Sequence, residues 1–215
     1  LAGGLAVPIH ASSVQATRAT LMTRTGARFR VDGTDVRRIA TDPPMPRPLL
    51  SRAALVIFTS GTTGLPKGVV VGHDALAGKL DVLATLLALR RDDVVLIPLQ
   101  LNFIFGLWVC LLAIERGATI VLVPKFSAET AQRWLGAGAT VFAAVPTMLR
   151  TLLADGPPDA PQLRMILTGG EVMAPALNER ISTIWPHAGV YDLYGSTETG
   201  SCDFCLGPDG QIAGR

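Results

Sequence analysis

Disulfide chemistry is the first thing this chain lacks. It holds three cysteines in 215 residues, Cys110, Cys202 and Cys205, too few for a stapled scaffold and in keeping with a reducing, cytoplasmic compartment. Cys202-Asp203-Phe204-Cys205 is one C-x-x-C pair without a second. A structural zinc site takes four ligands, and neither His10 nor His187 stands at ligand spacing. Two incidental cysteines are the favoured reading, a redox pair the other. Charge is also scarce: 17% of residues are charged, the net charge is +2 and no basic run stands out. Nucleic acid is therefore not an implied partner. Val94 to Ile114 carries no charge and would just span a bilayer, but Pro98, Gln100 and Asn102 interrupt it. A strand followed by a buried helix explains it better than a membrane span. The start lacks a charged segment followed by an apolar one, so no secretory signal is read. It also lacks an initiator Met and reads as the start of a fragment. No internal repeat is evident.

Apolar residues are plentiful at 49%, enough for a well-buried core. Their spacing predicts alternating strands and helices. Strands are expected at 5–9, 28–31, 55–59, 69–71, 94–99, 118–123, 141–145, 163–168 and 190–193. Helices are expected at 12–25, capped by Ser12 or Ser13, and at 73–89, 103–116, 128–136, 146–154 and 175–185. Leu76, Leu80, Leu83 and Leu87 lie on one face of the second helix. Pro146 suits the first turn of its helix. Residues 42–48 and 156–161 read as loops. The pattern argues for an α/β fold with mainly parallel sheets flanked by helices.

Residues 59–68 carry the strongest local signal. Thr59-Ser60-Gly61-Thr62-Thr63-Gly64-Leu65-Pro66-Lys67-Gly68 follows directly on the apolar run 53–58. Glycine lets the backbone turn through positive φ and approach a ligand, and successive N–H groups then form an anion nest. The hydroxyls of Thr59, Ser60, Thr62 and Thr63 can bind phosphate or Mg²⁺, and Lys67 adds a mobile cation. The common nucleotide loop, Gly-x-x-x-x-Gly-Lys-Ser/Thr, is absent, because Pro66 stands four residues after Gly61 and Gly68 follows Lys67. A hydroxyl-rich turn after a buried strand is the competing reading. Two more glycine-bearing loops follow predicted strands, Gly169-Gly170-Glu171 and Tyr194 to Glu198. In open α/β sheets ligands sit beyond the carboxyl ends of strands, so the three loops are expected to converge.

These segments resemble a known family. Ile57 to Val69 is similar to the phosphate-loop signature of the adenylate-forming superfamily, AMP-dependent synthetases and ligases. That superfamily includes acyl- and aryl-CoA synthetases, peptide-synthetase adenylation domains and luciferases. Tyr194-Gly195-Ser196-Thr197-Glu198 matches its Tyr-Gly-x-Thr-Glu signature. Thr168-Gly169-Gly170-Glu171 matches the glycine-rich stretch upstream, and Gly3 to Pro8 a Gly-Gly-x-x-x-Pro segment. The four occur in the family's order, so the resemblance covers nearly the whole chain.

The resemblance implies a reaction. A carboxylate attacks the α-phosphate of ATP to give an acyl-adenylate and pyrophosphate; a thiol of coenzyme A, or of a carrier protein's phosphopantetheine, then takes the acyl group. Thr59, Ser60, Gly61, Thr62, Thr63, Gly64 and Lys67 would hold the β- and γ-phosphates. Glu198 would ligate Mg²⁺, a hard cation suited to carboxylate and phosphate oxygens, or else be a first-turn glutamate. Thr197 would contact the α-phosphate. Tyr194, Gly195 and Ser196 would lie by the nucleotide, with Tyr194 near the adenine; alone, Tyr194 would read as a core aromatic. Asp192 would accept from the adenine amino group. The backbone of Gly169, Gly170 and Glu171 would lie on the other adenine face, though Glu171 also reads as a surface residue at a helix start.

Pro98 to Gly106 is similar to the segment Pro-Leu-Phe-His-x-x-Gly, with Phe103 where the histidine near the carboxylate stands. Phe103 cannot donate a hydrogen bond; it and Phe105 line an apolar acyl or aryl pocket or simply pack in the core. His73 reads as a helix-start residue. The resemblance places the ribose-binding aspartate, the hinge and a lysine-bearing C-terminal domain after the last residue. The chain is thus expected to be part of the large N-terminal domain. A CoA ligase, a carrier-loading module and a non-catalytic nucleotide-binding remnant all remain open. The isolated 215 residues should show no robust acid-dependent ATP–pyrophosphate exchange; robust exchange would contradict the expected incompleteness.

Overall fold

The computed structural model describes residues 4–40, 48–59, 66–154 and 156–214. In chain order the elements are α1 (Gln15–Thr25), β1 (Phe29–Asp32), β2 (Asp35–Arg38), a 3-10 turn (Pro48–Leu50), β3 (Ala53–Thr59) and β4 (Lys67–Gly72). There follow α2 (His73–Leu87), β5 (Val94–Ile97), α3 (Ile104–Arg116), β6 (Thr119–Leu122), α4 (Ala128–Gly136) and β7 (Val141–Ala143). Last come α5 (Pro146–Ala154), β8 (Met165–Gly169), α6 (Pro175–Ile184), β9 (Gly189–Tyr194), β10 (Phe204–Leu206) and β11 (Ile212–Gly214).

The centre is a seven-stranded sheet in the order β11-β10-β9-β8-β7-β5-β6. Strands β5 to β9 are parallel, and β10 and β11 add an antiparallel edge. The alternating pattern expected from sequence is thus an α/β fold with a mainly parallel sheet. Burial on both faces is visible residue by residue. Val95, Ile97, Val141, Ala143, Met165 and Leu167 pack with α2 and α3, whereas Leu96, Phe142 and Ile166 pack with α4, α5 and α6. Successive side chains point to opposite faces, so a strand covered on both sides must read as an unbroken apolar run.

Chain direction reverses at β5. Its successor β6 lies on one side and β7 on the other, after which β8 and β9 extend the same way. This is a topological switch point, where the loops leaving neighbouring strands diverge and open a crevice.

Several expectations are corrected. The apolar run ending at Thr59 is not a strand of the parallel sheet. β3 pairs antiparallel with β4, from Thr59↔Lys67 towards Ala53↔Gly72, in a separate two-stranded sheet packed on α2 and α3. Its five residues Ala53 to Ile57 are buried because helices cover it, which an apolar run alone cannot distinguish from parallel neighbours. Residues 5–9 form only one bridge, Ala6 to Leu55. α1 starts at Gln15, preceded by Val14 without a side-chain cap, because the Ser12 hydroxyl instead meets Nδ1 of His10 at 2.6 Å. The strands β2, β10 and β11 were not anticipated; they are short and flank turns. Residues 42–47 lie outside the described residues.

One polar cluster ties the sheet together at its amino edge. Asp93, Thr140 and Arg164 each immediately precede a strand, β5, β7 and β8 in turn. Asp93 is 2% exposed. Its carboxylate accepts from Nε of Arg164 at 2.7 Å, from a second Arg164 nitrogen, from the Thr140 hydroxyl at 2.8 Å and from the Arg90 N–H at 2.7 Å. Burial pushes this carboxyl up, but the hydrogen bonds from Arg164, the Arg90 backbone and Thr140 outweigh it and hold the pKa below the usual 3.8. A lowered folded pKa contributes stability above the unfolded value, and that contribution is lost as pH falls through the folded pKa. Asp93→Asn leaves Arg164 without its counter-charge and should cost about 2–4 kcal/mol near neutral pH, short of the full buried-pair range because Arg164 is partly exposed. Urea titrations should show this deficit shrinking once pH drops below about 4, the unfolded carboxylate range.

Candidate functional site

The carboxyl edge of the parallel strands gathers most of the described residues marked by the sequence. β8 and β9 are neighbours in register, Thr168 opposite Asp192 and Gly169 opposite Leu193. Residues 169–171 and 194–198 therefore leave adjacent strands at one edge. Period-two alternation puts Asp192 and Tyr194 on the same face of β9 as Val190, the face towards α6. Gly169 is required by this closeness: an added Cβ would lie on the Leu193 carbonyl oxygen. Gly195 is equally confined, against the backbone nitrogen of Cys202.

Each candidate has a definite environment. Glu171 does not start its own helix. Its Oε2 accepts from the Thr147 N–H at 3.0 Å and the Thr147 hydroxyl at 2.6 Å, with an Arg150 nitrogen at 3.5 Å. It thus caps the first turn of α5 and satisfies that helix's positive end. Sequence reasoning missed this pairing because the partners lie on different loops. Asp192 is half-buried, and burial raises its pKa against a hydrogen bond from its Leu193 neighbour. It lines a cleft of about 540 Å³ with Met173, Asn178, Val190, Leu206 and Pro208. Tyr194 is 74% exposed, which removes the core-aromatic reading; its ring meets only Phe204, at 6.3 Å between centroids.

The turn after Tyr194 is folded tightly. The Ser196 N–H donates to the Thr199 hydroxyl at 3.2 Å, the Ser201 N–H to the Ser196 carbonyl at 2.7 Å and the Gly200 N–H to the Thr197 carbonyl at 3.1 Å. Thr197 is half-buried inside this turn, while Glu198 is exposed.

Two buried polar atoms lack partners among the described residues at this edge: the Thr168 hydroxyl, at the end of β8, and Oδ1 of Asn102, after β5. Buried polar atoms are ordinarily paired, so such orphans mark a place where a ligand or water completes the site. Phe103, next to Asn102, is 57% exposed rather than packed in the core. Phe105 is partly buried and packs on Trp108, ring centroids 5.7 Å apart. His73 is the first residue of α2, as its sequence position suggests.

The third loop is the exception. Thr59 is half-buried at the end of β3, and Lys67 is exposed at the start of β4. Ser60, Gly61, Thr62, Thr63 and Gly64 lie outside the described residues. The loop is a connection between antiparallel strands, not a strand-to-helix turn, so its expected approach to the other two does not follow from the sheet.

Among the described residues no group of three or more His, Cys, Asp or Glu could hold a metal ion by itself. No helix among them is long and apolar enough to cross a membrane. Cys202 and Cys205 are free and buried, and burial pushes their thiols up to about 11 and about 12. At pH 8 both should react with Ellman's reagent about a hundredfold or more slower than an exposed thiol, since only the thiolate reacts. Rapid stoichiometric labelling of either in the folded protein would revive the redox reading.

Comparison with known proteins follows the same lines. The sequence matches the family described as AMP-binding enzyme over residues 2–214. It is 34% identical over 166 residues to the fatty acid–[acyl-carrier-protein] ligase ScoC of Streptomyces coeruleorubidus, covering 74% of this chain and 32% of that protein. A solved malonyl-CoA ligase, in ternary product complex with methylmalonyl-CoA and AMP, aligns with TM-score 0.76 and 30% identity over 98% of this chain and 50% of its own. The O-succinylbenzoate coenzyme A synthetase MenE of Bacillus subtilis, in complex with ATP and magnesium ion, aligns with TM-score 0.74 and 26% identity over 94% of this chain and 46% of its own. The chain spans about a third of the length of the curated relatives it matches.

Proposed function

The chain belongs to the family of AMP-binding enzymes, and on that premise we propose that it is part of an AMP-forming acid–thiol ligase. The observation that carries this reading is the register of β8 and β9, which sets Gly169-Gly170-Glu171 beside Tyr194 to Glu198 at one sheet edge. A purine would lie against the bare backbone at Gly169 and Gly170, with the exposed Tyr194 ring beside it. Asp192 would accept from its exocyclic amine. Because the Glu171 carboxylate is spent on α5, its backbone rather than its charge would serve the ligand.

The triphosphate would be gripped by Thr59, Ser60, Gly61, Thr62, Thr63, Gly64 and Lys67. Gly195 and Ser196 would shape the turn that brings Thr197 to the α-phosphate. The donor set fits Mg²⁺: Glu198 is an exposed carboxylate, and Mg²⁺ commonly takes one or two carboxylates plus phosphate oxygens and water. When bound, the ion would neutralise charge on the phosphates. The chain's own task is to hold the carboxylate in line with the α-phosphorus so that pyrophosphate leaves. A thiol then attacks the acyl carbon, and AMP departs.

Phe103, exposed at the same edge, supports an apolar acyl or aryl acid over a charged one. Coenzyme A is the preferred acceptor, since the MenE and malonyl-CoA ligase likenesses are CoA enzymes; ScoC keeps a carrier protein's phosphopantetheine as the alternative. The three free cysteines suit a reducing cytoplasm.

The test is acid-dependent ATP–pyrophosphate exchange by the full-length protein across aliphatic and aromatic acids. Exchange should appear with at least one apolar acid. Glu198→Gln should lower kcat about a hundredfold, the scale of losing one preorganised electrostatic contact, and raise the Mg²⁺ requirement. Undiminished exchange in that variant would remove Glu198 from the metal site.

A further inference from the structure

The turn that carries Thr197 and Glu198 is strained and is held from outside. Gly200, Ser201 and Cys202 follow one another at φ 82°, 68° and 50°. Left-handed backbone suits glycine, but at serine and cysteine it is unfavourable and persists only where the surroundings enforce it. Two side chains from distant helices supply the enforcement. Lys79 of α2 donates to the Cys202 carbonyl at 3.0 Å and lies 3.6 Å from the Asp203 carboxylate. Trp108 of α3, 1% exposed, donates its indole N–H to the Ser201 hydroxyl at 3.2 Å.

The Lys79 contact continues into the turn. The other Asp203 oxygen accepts from the Thr199 hydroxyl at 2.5 Å, and that hydroxyl also accepts from the Ser196 N–H and donates to the Ser196 carbonyl. Ser196 and Thr199 bracket Thr197 and Glu198. An unbroken polar chain thus runs from Lys79 to the residues on both sides of the proposed phosphate and metal contacts. The side chain of Lys79 is only 13% exposed. It follows Gly78 and precedes Leu80 on a helix whose buried face is otherwise Leu76, Leu83, Ala84 and Leu87. A leucine or methionine would fill this place without the cost of desolvating an ammonium, so packing alone does not account for a lysine.

We infer that Lys79 is a positioning residue for the turn 195–203, with Trp108 as its second anchor, and that together they set the orientation of Thr197 and Glu198. The inference rests on the function proposed above for its catalytic consequence, but not for the tether itself. Amide hydrogen–deuterium exchange and ATP–pyrophosphate exchange by the full-length protein separate the two. Lys79→Met should raise amide exchange at 199–203 at least fivefold while β5, β7 and β8 stay protected. It should lower kcat at least tenfold, with KM for the acid within twofold. Lys79→Arg keeps a donor and a charge and should restore both readouts to within threefold. Trp108→Phe, which removes the indole N–H, should loosen the same amides and serves if Lys79→Met does not fold. Unchanged protection at 199–203 in Lys79→Met and Trp108→Phe overturns the inference. So does loosening spread evenly over the domain, or an arginine variant as impaired as the methionine one. If the wild-type protein exchanges pyrophosphate with no acid while the amide data come out as expected, the proposed function falls and the tether stands.

Discussion

The bidentate pair between Asp93 and Arg164 is the constraint on which the rest of the chain is built. Each residue stands one position before a strand, and Thr140, hydrogen-bonded to the same carboxylate, stands before a third. The starts of β5, β7 and β8 are thereby held in one plane at the amino edge. Parallel pairing offers no hairpin to set register, so a shared anchor at one end does that work. Once the starts are aligned, the ends are aligned too, and the loops that leave β8 and β9 fall side by side. The charge pair lies at the opposite edge from the candidate site and touches none of its residues.

Two further consequences follow from the sheet order. The reversal at β5 makes a crevice where the loop bearing Asn102 and Phe103 diverges from the start of α5. The α5 start is already neutralised by Glu171, which turns a potential anion site into a clasp between the loops after β7 and β8. Positive charge for phosphate must then come from elsewhere, and Lys67, exposed beside the hydroxyl-rich loop, has the chemistry for it.

The turn after β9 shows how a catalytic segment is shaped by residues far away in sequence. Its left-handed run and the contact of Gly195 with the Cys202 backbone leave little freedom, and its outside contacts come from α2 and α3. The sheet gives the turn its place, whereas the helices packed on one face give it its form.

Much of this was legible in the chain itself. Unbroken apolar runs of strand length, separated by helical spacing, were enough for an α/β sheet covered on both faces, because period-two alternation leaves no other way to bury both sets of side chains. The glycines at 169 and 195 and the hydroxyls at 59 to 63 declared a phosphate-binding chemistry, since only such residues allow close backbone approach. What the sequence could not declare was pairing across distance. That 53–59 belongs to a separate antiparallel sheet, that Glu171 caps α5, and that Lys79 and Trp108 reach the turn at 201–203 are set by which surfaces meet. An apolar run states that a residue is buried, and a charge states that it needs a partner; only the packed helices and strands decide against what, and with whom.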